Sequence, residues 1–220
     1  MDQEIIIQKT IDFVKESLAD AQSDHDWWHV YRVWKLSKHI AQTEKVDIFI
    51  VELGALLHDI ADAKFYDGDE KIGPQKARDF LSSLDVEEEI IIHIENIILH
   101  ISFKGEKHIH EFDSPELDVI QDADRLDAMG AIGIARLFNY GGSKNRMLYD
   151  PNNKAKLNMS KKEYSNESIN CKSTSVNHFY EKLLLLKDKM NTNTGKSMAE
   201  HRHTYMEQFL DEFYKEWNGS

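Results

Sequence analysis

Leu56-Leu57-His58-Asp59-Ile60-Ala61-Asp62 ends an apolar run with one imidazole and two carboxylates. Ile48, Val51, Leu53, Ala55, Leu56 and Leu57 mark the preceding segment as a buried helix, with Asp47 as its N-cap and Glu52 as its one charge. Burying His58, Asp59 and Asp62 at the end of such a helix is costly unless each finds a partner. A metal ion would satisfy them together; a buried His–Asp hydrogen bond is the plainer alternative. Successive helical residues point about 100° apart, so His58 and Asp59 can share an ion only if other helices complete the set. Asp62, four residues after His58 and three after Asp59, could face the same cavity without binding the ion directly.

Other helices offer the missing ligands. Ser23-Asp24-His25-Asp26-Trp27-Trp28-His29-Val30-Tyr31-Arg32-Val33 reads as the start of a helix to about Gln42, with Ser23 or Asp24 as N-cap. His25, His29, Arg32 and Val33 share one face of it. A lone histidine there is ordinarily a packing residue. Beside a His-Asp pair on the next apolar helix, His29 could complete a set of three ligands. Arg32, one turn on, suits a phosphate oxygen, or else a helix carboxylate. Ser114-Pro115 starts another helix, carrying Asp122, Asp124, Arg125 and Asp127 and continuing or kinking into Ile134–Phe138. Asp124 and Asp127 share a face that Asp122 does not. The apolar neighbours Ala123, Leu126, Ala128 and Met129 argue that at least one of these acids is buried, where it could supply a fourth ligand. Glu89, His93, Asn96 and His100 form a polar stripe that could line the cavity, hold a second ion or simply be a solvated rim.

Long Ile/Leu/Glu/Lys-rich segments with three prolines and ten glycines in 220 residues favour an all-α protein of one domain. Helices are predicted over Gln3–Ala19, from Gly73-Pro74 to Leu84, from Val86 to His100 with Asp85 as cap, and over Val176–Met190 and Ser197–Trp217. The last opens with a Ser197/Glu200 capping box. His178, Lys182, Lys187, His201 and Arg202 are polar points on these two that could reach the site. Gly141-Gly142 begins a polar stretch to Ser175 with seven basic and three acidic residues, read either as a lid for an anionic substrate or as a surface excursion. A net charge of −12 disfavours extended nucleic acid and anionic membranes as partners. No apolar run approaches the ~20 residues that span a bilayer. With Cys171 as the single cysteine there is no intrachain disulfide, so a cytoplasmic location is expected.

His29, then His58-Asp59, then Asp124, on three separate helices, resemble the H…HD…D signature of the HD-domain metal-dependent phosphohydrolases, over roughly Ser23 to Arg136. The stretches His25–Val33 and His58–Asp62 resemble more narrowly the stand-alone bacterial YpgQ-like group. The resemblance implies a single HD domain over 1–220 with its motif-bearing core at about 23–140; the lid-like insertion at 141–175 and the C-terminal helices at 176–217 are read from composition and pattern. It implies His29, His58, Asp59 and Asp124 as ligands of one divalent metal ion, with Asp62 handling the proton of water. Two imidazoles and two carboxylates suit Mn²⁺, Fe²⁺, Co²⁺, Ni²⁺ or Mg²⁺. Asp127 is a second candidate for proton transfer. Arg32, Lys64, His100, Arg125 and Lys182 are the candidates for holding substrate. The implied activity is hydrolysis of a small nucleotide, a (deoxy)nucleoside triphosphate cut to monophosphate and pyrophosphate. A 5′-nucleotidase, a nucleotide sensor without turnover, and a di-iron oxygenase using His93 and His100 are the other readings; oligomeric state, including a homodimer, stays open.

Overall fold

The structure is a computed structural model that describes residues 1–19, 26–61, 69, 71–101, 112–157 and 173–220. Among these the protein is all helical: α1 (Gln3–Ser17), α2 (Trp27–Ala41), α3 (Ile48–Leu57), α4 (Ile72–Ser83), α5 (Glu88–His100), α6 (Pro115–Asp127), α7 (Gly130–Ser143), α8 (Ser175–Glu181), a 3₁₀ segment (Leu183–Lys189) and α9 (Asn193–Trp217). No strand occurs among the described residues, and none of the helices is long and apolar enough to cross a membrane. The chain groups into two compact units, Met1–Ala123 and Asp124–Ser220.

In the first unit α3 is the hub. Phe49, Val51, Leu53, Gly54, Ala55, Leu56 and Leu57 are all buried, and α1, α2 and α5 pack around them, with α4 against α5. Each such large side chain withdrawn from water contributes about 1.5–3 kcal/mol. Asp47 caps α3 as its sequence predicts, its Oδ1 accepting from Phe49 N at 2.9 Å and Ile50 N at 3.4 Å. Glu52, the lone charge of this helix, is tied to α2 by Trp34 Nε1 at 3.0 Å and Lys38 Nζ at 2.7 Å. It therefore registers α2 against α3.

Several predicted ends move, each for a local reason. The N-cap of α2 is Asp26, whose Oδ1 accepts from His29 N at 2.9 Å; the expected caps Ser23 and Asp24 lie outside the described residues. Asp85 does not cap α5. It sits at φ 55° just past α4, with Asp85 N bonded to Ser82 O and Val86 N to Leu81 O, which is the Schellman termination of α4. α7 runs through Gly141-Gly142 and stops at Asn145, φ 53°, by the same pair of bonds from Asn145 N to Gly142 O and Arg146 N to Gly141 O. A predicted helix over Val176–Met190 divides at Lys182 into α8 and the 3₁₀ segment. α9 starts four residues before Ser197, because Thr192 Oγ1 accepts from Gly195 N at 2.9 Å.

In the second unit α9 packs on α7 and on the 3₁₀ segment, which also contacts α8. Phe138, Phe179 and Phe209 meet with centroids 5.7–6.3 Å apart, one from each of α7, α8 and α9. Between α6 and α7 the chain turns through Gly130 at φ +67°. A β-carbon on Gly133 would fall on the carbonyl group of Ala128 at this turn. Gly133→Ala is therefore expected to lose about 2–4 kcal/mol, since backbone rather than a flexible side chain must give way. Urea denaturation measures it; a loss below about 0.5 kcal/mol would show that the turn is not this tight.

Candidate metal centre

His58 is the first residue past the last turn of α3, and it holds its ring by a local bond: Nδ1 lies 2.8 Å from Ala55 O. A carbonyl oxygen only accepts, so Nδ1 carries the proton and the lone pair of a neutral ring resides on Nε2. Nε2 is buried and has no hydrogen-bond partner among the described residues. A buried acceptor of this kind costs about 1–3 kcal/mol unless something is bound to it.

Its neighbours are the donors such a group needs. His29, 2% exposed on α2, places its ring centroid 5.4 Å from that of His58, with an interplanar angle of 67°. His29 Nε2 stands 3.9 Å from Asp59 Oδ2. This is too long for a hydrogen bond, yet it suits two donors that share one ion at about 2.0–2.2 Å each. Ligand atoms of His29, His58 and Asp59 all lie within 4.8 Å of one another. The helices explain why. Val30, Val33 and Ile40 bury one face of α2, which turns His29 inward, and the α3 core sets the height of His58 and Asp59. A buried imidazole acceptor with a second imidazole and a carboxylate beside it fits a divalent metal ion on the chemistry of its donors.

The remaining candidates are distributed as follows. Asp124 is half-buried on the last turn of α6. Asp122 is fully buried, and Asp127, 1% exposed, has Oδ2 2.6 Å from Arg136 Nη1. Arg125 donates from Nη1 to Lys189 O at 2.5 Å. His100 Nδ1 donates to Asn96 O at 2.8 Å, and the ring lies 5.7 Å from that of Phe112. His93 Nε2 is 3.0 Å from Ser114 Oγ and 3.5 Å from Glu116 Oε2. Arg32 is half-buried on α2, one turn from His29. Lys182 is exposed between α8 and the 3₁₀ segment. Burial, reinforced by the charges of Lys182 and Arg146, pushes the pKa of His178 down to about 3, so this ring is neutral at working pH. His25, Asp62 and Lys64 lie outside the described residues. Arg136 pairs with Asp127, a contact that nothing in the spacing of the two residues signals.

The family model of the HD domain matches residues 27–129. By sequence alignment the chain is 39% identical over 208 residues to the protein described as uncharacterized protein YpgQ of Bacillus subtilis (strain 168), covering 94% of this chain and 91% of that one. Among solved structures, an HD-superfamily hydrolase from Bacillus thuringiensis superposes with a TM-score of 0.79 at 44% identity, covering 100% of both chains. Bacillus subtilis YpgQ in complex with ADP superposes with a TM-score of 0.77, covering 98% of this chain and 97% of that one, at 31% identity in the superposition.

Proposed function

The chain belongs to the HD-domain family of metal-dependent phosphohydrolases, and from that premise we propose that it hydrolyses (deoxy)nucleoside triphosphates to a monophosphate and pyrophosphate. The observation that carries the metal-dependent part is the buried Nε2 of His58, set beside His29 and Asp59. In this reading His29, His58, Asp59 and Asp124 hold the ion. When bound, a divalent ion supplies Lewis acidity towards a phosphoryl oxygen and makes water a stronger acid. The chain's own residues do the rest. Asp62 takes the proton of the attacking water, and Arg32, with Lys64, orients the phosphate oxygens by charge-assisted hydrogen bonds. His100, Arg125 and Lys182 are weaker candidates for substrate contacts: the bonds of His100 Nδ1 and Arg125 Nη1 already tie those groups to backbone carbonyls.

A nucleotide as substrate is supported by the ADP bound to Bacillus subtilis YpgQ, a protein that this chain matches over almost its whole length. The test is a panel of nucleotides with Mn²⁺, Co²⁺ or Mg²⁺ and identification of the phosphate product. Triphosphates are expected to release pyrophosphate and a monophosphate in equal amounts. Turnover of monophosphates without triphosphates would establish a 5′-nucleotidase instead. Tight nucleotide binding without any product would establish a sensor.

A further inference from the structure

Glu52 is the one charged residue of α3, and its side chain is only 14% exposed. A single oxygen, Oε1, accepts from Trp34 Nε1 at 3.0 Å and from Lys38 Nζ at 2.7 Å, both on α2. Lys38 Nζ also stands over the Trp34 ring, 5.2 Å from its centroid, so the three groups interlock. A carboxylate withdrawn this far from water adds little net stability over an apolar side chain of similar volume, because desolvation offsets its attractions. What it does supply is register. Apolar contacts are non-directional and tolerate a small slide, whereas hydrogen bonds fix a distance and an angle.

The same two helices carry the metal centre. His29, at the start of α2, meets His58 and Asp59 just past the end of α3, while Trp34 and Lys38, further along α2, meet Glu52 in the middle of α3. The helices therefore run antiparallel, and the clamp lies about 9 Å before His58 along α3 at about 1.5 Å of rise per residue. α3 itself is seated by shape: a β-carbon on Gly54 would stand 2.6 Å from Ile120 Cδ1. α2 faces the core through Val30, Val33 and Ile40, whose contacts are apolar. We infer that Glu52 is a positioning residue for His29: by holding Trp34 and Lys38 it fixes the height and rotation of α2 that set His29 Nε2 3.9 Å from Asp59 Oδ2 and its ring 5.4 Å from that of His58. The inference rests on the reading of His29 as a ligand. Metal–ligand distances tolerate about 0.2 Å, a small fraction of the rise per residue, so slack between the two helices reaches the ion before it reaches the core.

The experiment is a double-mutant cycle with Co²⁺ on the metal-free full chain, read by calorimetric titration and by the visible absorption bands, which report ligand geometry. Co²⁺ binds nitrogen and oxygen donors more tightly than Mn²⁺, which keeps weakened variants within range. Glu52→Met is expected to weaken Co²⁺ binding about 10- to 100-fold, the range for groups that orient a ligand, and to displace the bands at saturating Co²⁺. In a His29→Ala background the same substitution is expected to change neither, because the ligand it positions is gone. Loss of affinity with wild-type bands, or an equal loss in both backgrounds, would make Glu52 a general structural residue and overturn the inference. Unchanged affinity in Glu52→Met beside weakened affinity in His29→Ala would overturn it alone. Unchanged affinity in His29→Ala would overturn the ligand reading and the inference with it. Should Glu52→Met not fold, Lys38→Met and Glu52→Gln, which keeps an oxygen for Trp34 but no charge for Lys38, enter the same cycle with the same expected non-additivity.

Discussion

Replacing His58 by alanine is expected to abolish metal loading and to lower phosphohydrolase activity by at least ~10³-fold, about 4 kcal/mol in the barrier. The argument starts from the ring. Its Nδ1 is committed to Ala55 O, so Nε2 is the atom offered, and it is buried with no hydrogen-bond partner among the described residues. In metal-free protein that atom costs stability. Its removal therefore offsets part of the cavity left by the ring, and the melting temperature of the metal-free variant should move little. The difference shows on adding metal. An ion at 100 times its dissociation constant raises stability by about 2.7 kcal/mol when it binds only the folded state. Wild-type protein should show this increment with Mn²⁺ and lose it on chelation; His58→Ala should show none at the same concentration. A variant that loads metal and gains stability as wild type does would remove His58 from the ligand set.

The centre is legible from sequence where its chemistry is local. His58 and Asp59 terminate a helix of nearly unbroken apolar residues, and that burial makes their polarity informative before any partner is known. His29 is legible because a face of α2 repeats at helical spacing and the other face is visibly packing. Helix ends were harder to read. Gly141-Gly142 reads as the start of a polar stretch and Ser197 as a helix start, yet α7 runs on to a left-handed Asn145 and α9 begins at Asn193 with Gly195 in its first turn. Asp85 has the right residue type to cap α5 but is consumed by the end of α4, a competition that propensity alone cannot arbitrate. Pairings between distant residues leave no spacing signal at all. Arg136 with Asp127, nine residues apart across a turn, and Arg202 with Leu126, 76 apart, are visible only once the chain is folded.

Asp62→Asn is the second substitution expected to have a large effect, and it separates proton transfer from metal binding. Asp62 follows His58 by four residues and Asp59 by three, so the sequence places it near the ligands without requiring it to be one. The substitution keeps the size of the side chain and removes its ability to take a proton. If Asp62 acts as general base, the variant retains its ion and loses about 10² to 10⁴ in kcat, or 3–5 kcal/mol in the barrier. The competing role is structural, with Asp62 capping the helix end or orienting His29 through a hydrogen bond. Loss of that role would first appear in metal affinity, by about 10- to 100-fold, or in melting temperature. Metal content, melting temperature and kcat at saturating metal, measured on one preparation, distinguish the two. A slow variant with full metal content and wild-type melting assigns the proton to Asp62. Full activity once metal is saturating assigns Asp62 the structural role. Asp127 is then the next candidate for the proton; its carboxylate is 1% exposed and paired with Arg136 at 2.6 Å.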